Sequence, residues 1–407
     1  MAYSVAMLSI HTSPLDSPGR TKDAGGMNVY MRQLAYELGQ RSHRVDLFTR
    51  WTDKQLPRIV QVSKNVRVIH IQAGPLDPVH KHDLHQYIPA FAQQIRAFAR
   101  QEEQVYDMLH SHYWLSGLAA QQLTRHWDIP HVTMFHTLGR LKQLANPDEA
   151  EPALRIETEQ HLIQSVDRVI AATTDERNQI MRLCGASAER IEVIPCGVDL
   201  TLFTPQNRTL ARKQLGLDQH SPVLLFVGRL DPFKGPDVLL HAASMMEEDA
   251  QIVIVGGKLT GDAELHNLKT LARSLGISHR VHFLGARPQS ELPMLYSAAD
   301  MTVVPSYHES FGLVAVESLA CGTPVVATRA GGLMTVVRHD ETGFLVPRCP
   351  GFFAAKIDLF LRHPDIRERM RASARASVLR FGWKHVASQV DRVYNDLIEE
   401  GRLVAVP

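Results

Sequence analysis

Short apolar runs rich in β-branched residues alternate, through most of the 407-residue chain, with longer stretches whose apolar positions recur at helical spacing. That alternation predicts βα units and parallel sheets, because a strand covered on both faces reads as a continuous apolar run. Strand candidates in the first half are 5–10, 44–49, 66–71, 108–111, 131–135, 169–172 and 191–194. In the second half they are 223–227, 251–255, 281–284, 301–304 and 324–327. Chain breakers gather between the two sets, at Pro195-Cys196-Gly197 and Thr204-Pro205, so a domain junction is expected near 195–215. The last stretch, 383–399, has helical spacing at Val386, Val390, Val393, Tyr394 and Leu397. The expected fold class is α/β, with two Rossmann-like doubly wound domains and ligands held at the carboxyl ends of the strands.

Composition narrows the class. A chain of 407 residues exceeds one ordinary core, and 44% hydrophobic with 21% charged residues is the balance of a soluble globular protein. The formal net charge of +1 offers no field for nucleic acid or an anionic membrane, so any bound anion must be held by local groups. Cys184, Cys196, Cys321 and Cys349 have neither metal-ligand spacing nor the density of a disulfide framework, which points to a reducing, cytoplasmic compartment. No basic region precedes the apolar stretch at 5–10, and no apolar run approaches the ~18 residues of a membrane span. Small molecules are therefore the expected partners, and nothing in the composition bears on oligomeric state.

Candidate chemistry sits at the ends of the expected strands. Glu309 lies in the loop after 301–304, and Glu317 lies inside an apolar segment that turns helical from Phe311 to Ala320. A bare carboxylate there is costly unless it accepts hydrogen bonds, so Glu317 should meet a polar partner. The strand at 223–227 ends in Gly228-Arg229-Leu230-Asp231-Pro232-Phe233-Lys234-Gly235. Its guanidinium and ammonium suit a pyrophosphate, one as a directional fork and the other as a point charge. Near the N-terminus Asp23-Ala24-Gly25-Gly26-Met27-Asn28 opens a helix, where paired glycines let the backbone approach an anion. His136 follows the strand at 131–135 directly; most of the other histidines, His80, His82, His85, His110 and His112 among them, read as solvated or locally satisfied. No carboxylate or histidine cluster has metal spacing, so neither a metal nor a cofactor is expected.

The run Glu309-Ser310-Phe311-Gly312-Leu313-Val314-Ala315-Val316-Glu317, with Ala320-Cys321-Gly322-Thr323-Pro324 and Gly331-Gly332 beyond it, resembles the E-x7-E region of the retaining, nucleotide-sugar-dependent glycosyltransferases that include sucrose and glycogen synthases. The resemblance covers nearly the whole chain. It implies the GT-B architecture: an acceptor-binding domain over 1–200, a nucleotide-sugar domain over 201–380 facing it across a cleft, and a terminal helix over 381–407 crossing back to the first domain. It implies that Glu309 lies against the donor sugar, that Glu317 accepts hydrogen bonds from the donor ribose, and that Phe311, Gly312 and Leu313 line the donor site. Arg229 and Lys234 would clamp the pyrophosphate and stabilise the leaving nucleotide, while Gly26 and Asn28 would bridge donor phosphates and acceptor. The ring and backbone carbonyl of His136 would face the reacting sugar. Lys81, Tyr113, Thr137 and Arg155 match positions that hold an acceptor phosphate in the mycothiol-pathway inositol-phosphate glycosyltransferases. The implied reaction is same-face substitution, in which the departing phosphate receives the acceptor proton.

The resemblance divides at the acceptor. Stretches 9–14, 25–30 and 110–116 are most like the mycothiol-pathway enzymes, whereas Thr137-Leu138-Gly139-Arg140-Leu141-Lys142-Gln143 departs from the valine-lysine-asparagine usual there. The expected function is therefore a compact sucrose-phosphate synthase, joining glucose from UDP-glucose to fructose 6-phosphate. The alternative is transfer of N-acetylglucosamine from its UDP-sugar to inositol phosphate. A UDP-sugar epimerase shares the architecture but has no use for a second phosphate site, and a silent sugar-nucleotide binder would lose parts of the cation clamp.

Overall fold

The computed structural model describes residues 2–16, 25–145 and 151–404. The chain divides into two compact units: one runs to Pro195 and takes back the chain from Trp383, and the other is built on Cys196–Gly382. Among the described residues the first unit has eight strands: β1 Ser4–Ser9, β2 Arg44–Arg50, β3 Ile59–Ser63, β4 Val66–Ile71, β5 Met108–His112, β6 His131–Met134, β7 Arg168–Ala171 and β8 Ile191–Val193. The second has six: β9 Val223–Val227, β10 Gln251–Val255, β11 Val281–Gly285, β12 Met301–Val304, β13 Val325–Thr328 and β14 Gly343–Val346.

The first sheet runs β3-β4-β2-β1-β5-β6-β7-β8 and the second β11-β10-β9-β12-β13-β14. Every neighbouring pair is parallel except β3 with β4. Chain order reverses beside β1 in one sheet and beside β9 in the other, and in open α/β sheets ligands gather at the carboxyl ends of strands flanking such a reversal. The loops after β1, β5, β9 and β12 are therefore the ones placed for chemistry. Two strands were not expected: β3, a partly exposed edge, and β14, a short buried apolar run after a polar turn.

Each unit has its own core. In the first, Leu8, Phe48, Leu109 and Val169 of the sheet pack with Phe91, Ile95 and Leu115. In the second, Leu224, Ile252, Met301 and Phe344 pack with Leu239, Phe353 and Phe360. The helix Trp383–Val404 buries Val386, Val390 and Tyr394. It is held to the first unit by the Tyr3 hydroxyl, which donates to Asp391 at 2.6 Å, and by Arg41, which donates to the Lys384 carbonyl at 2.7 Å.

A single carboxylate ties three elements of the second unit. Asp300, 5% exposed, accepts from the Val223 N–H at 2.8 Å, from Arg212 at 2.7 Å, from Arg371 at 3.2 Å and from Arg208. Arg212 is itself buried and also donates to the carbonyls of Ala298, Gln219 and Ser221. Asp300→Ala leaves that guanidinium without its counter-charge and should cost roughly 3–5 kcal/mol in urea denaturation. Asp249→Ala breaks an ion pair whose carboxylate is 97% exposed and should cost no more than about 0.5 kcal/mol. Equal, small losses in both variants would dismiss Asp300 as a tie.

Candidate active site

In the second unit the loops after β9 and β12 touch, and a glycine makes this possible. Gly235 has φ of +73°, and a Cβ there would lie 2.4 Å from the Pro305 carbonyl oxygen. Tyr307 N–H donates to the Phe233 carbonyl at 2.9 Å. Arg348, just past β14, donates to the carbonyls of Pro305 at 2.9 Å and Pro232 at 3.0 Å while its guanidinium stacks 3.5 Å from the Tyr307 ring centre. This contact brings Lys234 Nζ to 2.6 Å from Glu309 Oε1, and Ser306 Oγ donates to the same oxygen at 2.8 Å. Burial alone would raise the Glu309 carboxyl, but Lys234, Ser306 and His308 outweigh it and hold the group below its ordinary value. Arg229 is more exposed, with Nε 3.1 Å from Asp231.

Gly312, at φ of +97°, caps the helix Leu313–Ala320. Phe311 is buried edge-on against Phe381, Leu313 is half-buried, and Glu317 points into a dry environment. Glu317 does meet polar partners: Tyr296 donates to it at 2.8 Å and Gln289 at 3.3 Å. Burial still pushes its carboxyl up to about 7. Two carboxylates eight residues apart are thus driven in opposite directions, one by a cation and the other by lack of one.

In the first unit Gly26 opens the helix Gly26–Gln40 and is exposed. Asn28 is buried and ties the loop together: Oδ1 accepts the Gly25 N–H at 3.1 Å, and Nδ2 donates to Thr12 Oγ1 at 2.8 Å and the Ser13 carbonyl at 2.5 Å. Asp23 and Ala24 lie outside the described residues, as do 146–150 of the loop before Arg155. His136 is partly buried with φ of +59°, a conformation that non-glycine residues rarely adopt. Its Nε2 lies 2.9 Å from His112 Nδ1, and burial, with His11 nearby, holds the imidazole well below its ordinary value.

Arg155, 2% exposed, sits in a cage: it donates to Glu159 at 2.7 Å, Glu151 at 2.8 Å and the Thr137 carbonyl at 2.6 Å, and faces the Tyr113 ring at 4.8 Å. Lys142 also reaches Glu151, at 2.7 Å. Lys81 starts the 3-10 turn Lys81–Tyr87. His82 beside it is pushed down by partial burial, then by Lys81 and His80, with Glu151 and Arg155 near enough to add opposing contributions. Tyr113, Thr137 and Arg155 therefore form one corner with the Lys81 turn beside it.

Several members of these clusters escaped the sequence reading. Glu159 lies one turn along the helix Ala153–Ser165 from Arg155, and Glu151 lies just ahead of that helix, four residues before Arg155; neither glutamate was named from the sequence. Arg348 is a cation immediately past a strand, but β14 itself was not expected. His110 and His112, expected to be solvated or locally satisfied, are not solvated: both are 0% exposed within β5, each with a partner at Nδ1 and none at Nε2 among the described residues. Among the described residues no group of three His, Cys, Asp or Glu could hold a metal ion, and no helix is long and apolar enough to cross a membrane.

Two doubly wound units, a cation loop after β9 and a Glu-x7-Glu segment after β12 are the parts of a GT-B glycosyltransferase. Comparison with known proteins agrees: residues 24–202 match the model of Glycosyltransferase Family 4 and residues 207–377 that of glycosyl transferases group 1. The chain is 43% identical over 400 residues to the D-inositol 3-phosphate glycosyltransferase of Xylanimonas cellulosilytica, covering 96% of each chain. It is 42% identical over 408 residues to the protein of that name from Corynebacterium diphtheriae, covering 97% of this chain and 95% of the other. Among solved structures, the sucrose-phosphate synthase of Thermosynechococcus elongatus matches with a TM-score of 0.91 and 34% identity, over 98% of this chain and all of that one. The chain belongs to the GT4-type family of GT-B glycosyltransferases and is a hexosyltransferase.

The raised Glu317 carboxyl has a signature in stability. Because folding favours its protonated form, its contribution is complete below its ordinary value of 4.5 and is lost as pH rises through about 7. Glu317→Gln keeps an acceptor for Tyr296 without the charge, so it should raise the melting temperature by several degrees at pH 8 and change it little at pH 5. Thermal unfolding of both proteins across that range measures it, and a shift independent of pH contradicts a raised carboxyl.

Proposed function

We propose that the enzyme moves a hexosyl unit, with retention, from a UDP-sugar to a phosphorylated small acceptor, with N-acetylglucosamine as the sugar and an inositol phosphate as the acceptor. The observation that carries this reading is the caged Arg155. Three of its five N–H bonds engage Glu159, Glu151 and Thr137, which fixes the guanidinium plane. The remaining two meet a phosphate without first having to order a long side chain. Lys81 supplies a second cation to the same phosphate. Relatives that share 43% and 42% identity along almost their full length, and are named for inositol 3-phosphate, support the choice of acceptor over the fructose 6-phosphate expected from sequence.

A second reading retains support from two observations. The sucrose-phosphate synthase likeness is close in shape, and the segment after His136 differs from the mycothiol-pathway pattern. Gly139 in that segment gives its N–H to Glu159 at 2.8 Å, and a Cβ there would come within 3.1 Å of Arg155 Nε. The wall that departs from the pattern is thus part of the Arg155 cage.

On the donor side, Lys234 and Arg229 meet the diphosphate, Glu309 the sugar hydroxyls and Glu317 the ribose. The acceptor hydroxyl attacks on the face from which the phosphate leaves and gives that phosphate its proton, so the cations stabilise charge as it develops and no carboxylate nucleophile is required. Steady-state kinetics with inositol phosphate, fructose 6-phosphate and their dephosphorylated forms, each with UDP-N-acetylglucosamine and UDP-glucose, test the reading. Lys81→Ala should raise the acceptor KM about ten- to a hundredfold while leaving the donor KM nearly unchanged, the effect of losing roughly 1.5–3 kcal/mol of charged hydrogen bonding. Equal use of phosphorylated and free acceptors by the parent enzyme sinks the phosphate corner, and turnover of fructose 6-phosphate alone moves the assignment to the second reading. Activity should also survive exhaustive chelation, because side chains carry the leaving-group charge; loss in EDTA restored by magnesium would reverse that.

A further inference from the structure

A line of polar rings runs through the first unit from the helix Trp383–Val404 to His136. The Tyr394 hydroxyl lies 2.5 Å from His110 Nδ1. His110 and His112, on the same face of β5, hold their rings 4.2 Å apart, and His112 Nδ1 lies 2.9 Å from His136 Nε2. The Nε2 atoms of both His110 and His112 are buried with no hydrogen-bond partner among the described residues. We propose that His112 is a positioning residue that fixes the proton of His136 on Nδ1, with His110 and Tyr394 locking the line in place.

Proton placement follows from what burial tolerates. Burial and the neighbouring imidazoles hold His110 and His112 well below their ordinary values, so each ring is neutral and carries one N–H. A His112 proton on Nε2 would be a buried donor with no acceptor, an omission that costs roughly 1–3 kcal/mol. On Nδ1 it leaves only a lone pair unmatched and donates to His136 Nε2. His136 must then hold its own proton on Nδ1, the nitrogen turned away from His112. Between His110 Nδ1 and the Tyr394 hydroxyl either group can donate, since each arrangement leaves one buried donor unmatched, and their contact fixes the ring in place whichever does.

The packing prevents the rings from turning over. Tyr30 lies edge-on to His112 at 5.7 Å and to His136 at 5.2 Å, and Trp383 packs on Tyr30 at 5.5 Å. The left-handed backbone of His136 is a strained state that persists only where its surroundings impose it. So held, His136 carries a donor at Nδ1 and accepts nothing there. This rests on the glycosyl-transfer reading above for its catalytic meaning, but the tautomer itself does not.

Long-range nitrogen-15 correlation spectra of the histidine-labelled, substrate-free protein distinguish the two tautomers. The expected result is a proton on Nδ1 of both His112 and His136 in the parent. In His112→Leu the His136 signal should move towards the Nε2–H form, and kcat should fall roughly ten- to a hundredfold, as for other residues that orient a functional histidine, with both KM values within about twofold. His112→Asn, whose amide can donate in place of Nδ1–H, should restore the parent tautomer and most of kcat. A His136 proton on Nε2 in the parent overturns the inference, and so does an unchanged kcat in a folded His112→Leu. Should His112→Leu not fold, the parent spectrum and the His112→Asn protein decide it. If no UDP-sugar is turned over by the parent while the Nδ1 tautomer is seen, the proposed function falls and the placement of the proton stands.

Discussion

The second unit is organised around one steric constraint: position 235 has no room for a side chain, because the Pro305 carbonyl occupies the place where a Cβ would be. That close approach lets the loop after β9 lie against the loop after β12, and the ion pair between Lys234 and Glu309 is its consequence. Arg348 reinforces the contact by binding a carbonyl from each loop. A half-buried pair of this kind contributes little net stability, since partial desolvation of both charges offsets much of their attraction. What it does is hold two charged groups in defined places, close together, before any ligand arrives.

The two carboxylates of the Glu-x7-Glu segment show how environment divides labour between identical side chains. Glu309 has an ammonium and a hydroxyl on one oxygen and stays ionised; Glu317 has a phenol and an amide and is raised to about 7. Neutral donors moderate the cost of burying a charge without removing it, whereas a cation removes it. Arg155 is the mirror image in the first unit, a buried cation made tolerable by two carboxylates.

Much of the fold was legible in the sequence because most strands are covered on both faces and therefore read as unbroken apolar runs. β3 was hidden because an antiparallel edge strand needs no such run, whereas β14 is an apolar, buried run as long as β12 and β13 that was passed over after a polar turn. β5 misled in a different way. Its His110 and His112 read as solvated or locally satisfied, yet the whole strand end is buried: Ser111 bonds Thr133 and His131, and the histidines meet Tyr394 and His136 through Nδ1 while their Nε2 atoms go unmatched. Cations after β9 and the glutamates after β12 could be named singly, but their meeting depends on β9 and β12 being neighbours in the sheet, which no local spacing encodes. Asp300 and its three arginines are invisible for the same reason.

The return of Trp383–Val404 to the first unit bears on how the chain comes to be folded. The core of the second unit draws only on residues between Leu224 and Met370. The first unit is different: until the last helix is made, Tyr3, Tyr30 and His110 lack the Asp391, Trp383 and Tyr394 side chains that cover or bind them. Its closing contacts join residues 388 and 284 positions apart, which makes loop closure slow compared with local helix and strand formation. The N-terminal half thus keeps a seam open until Trp383–Val404 has been made to close it.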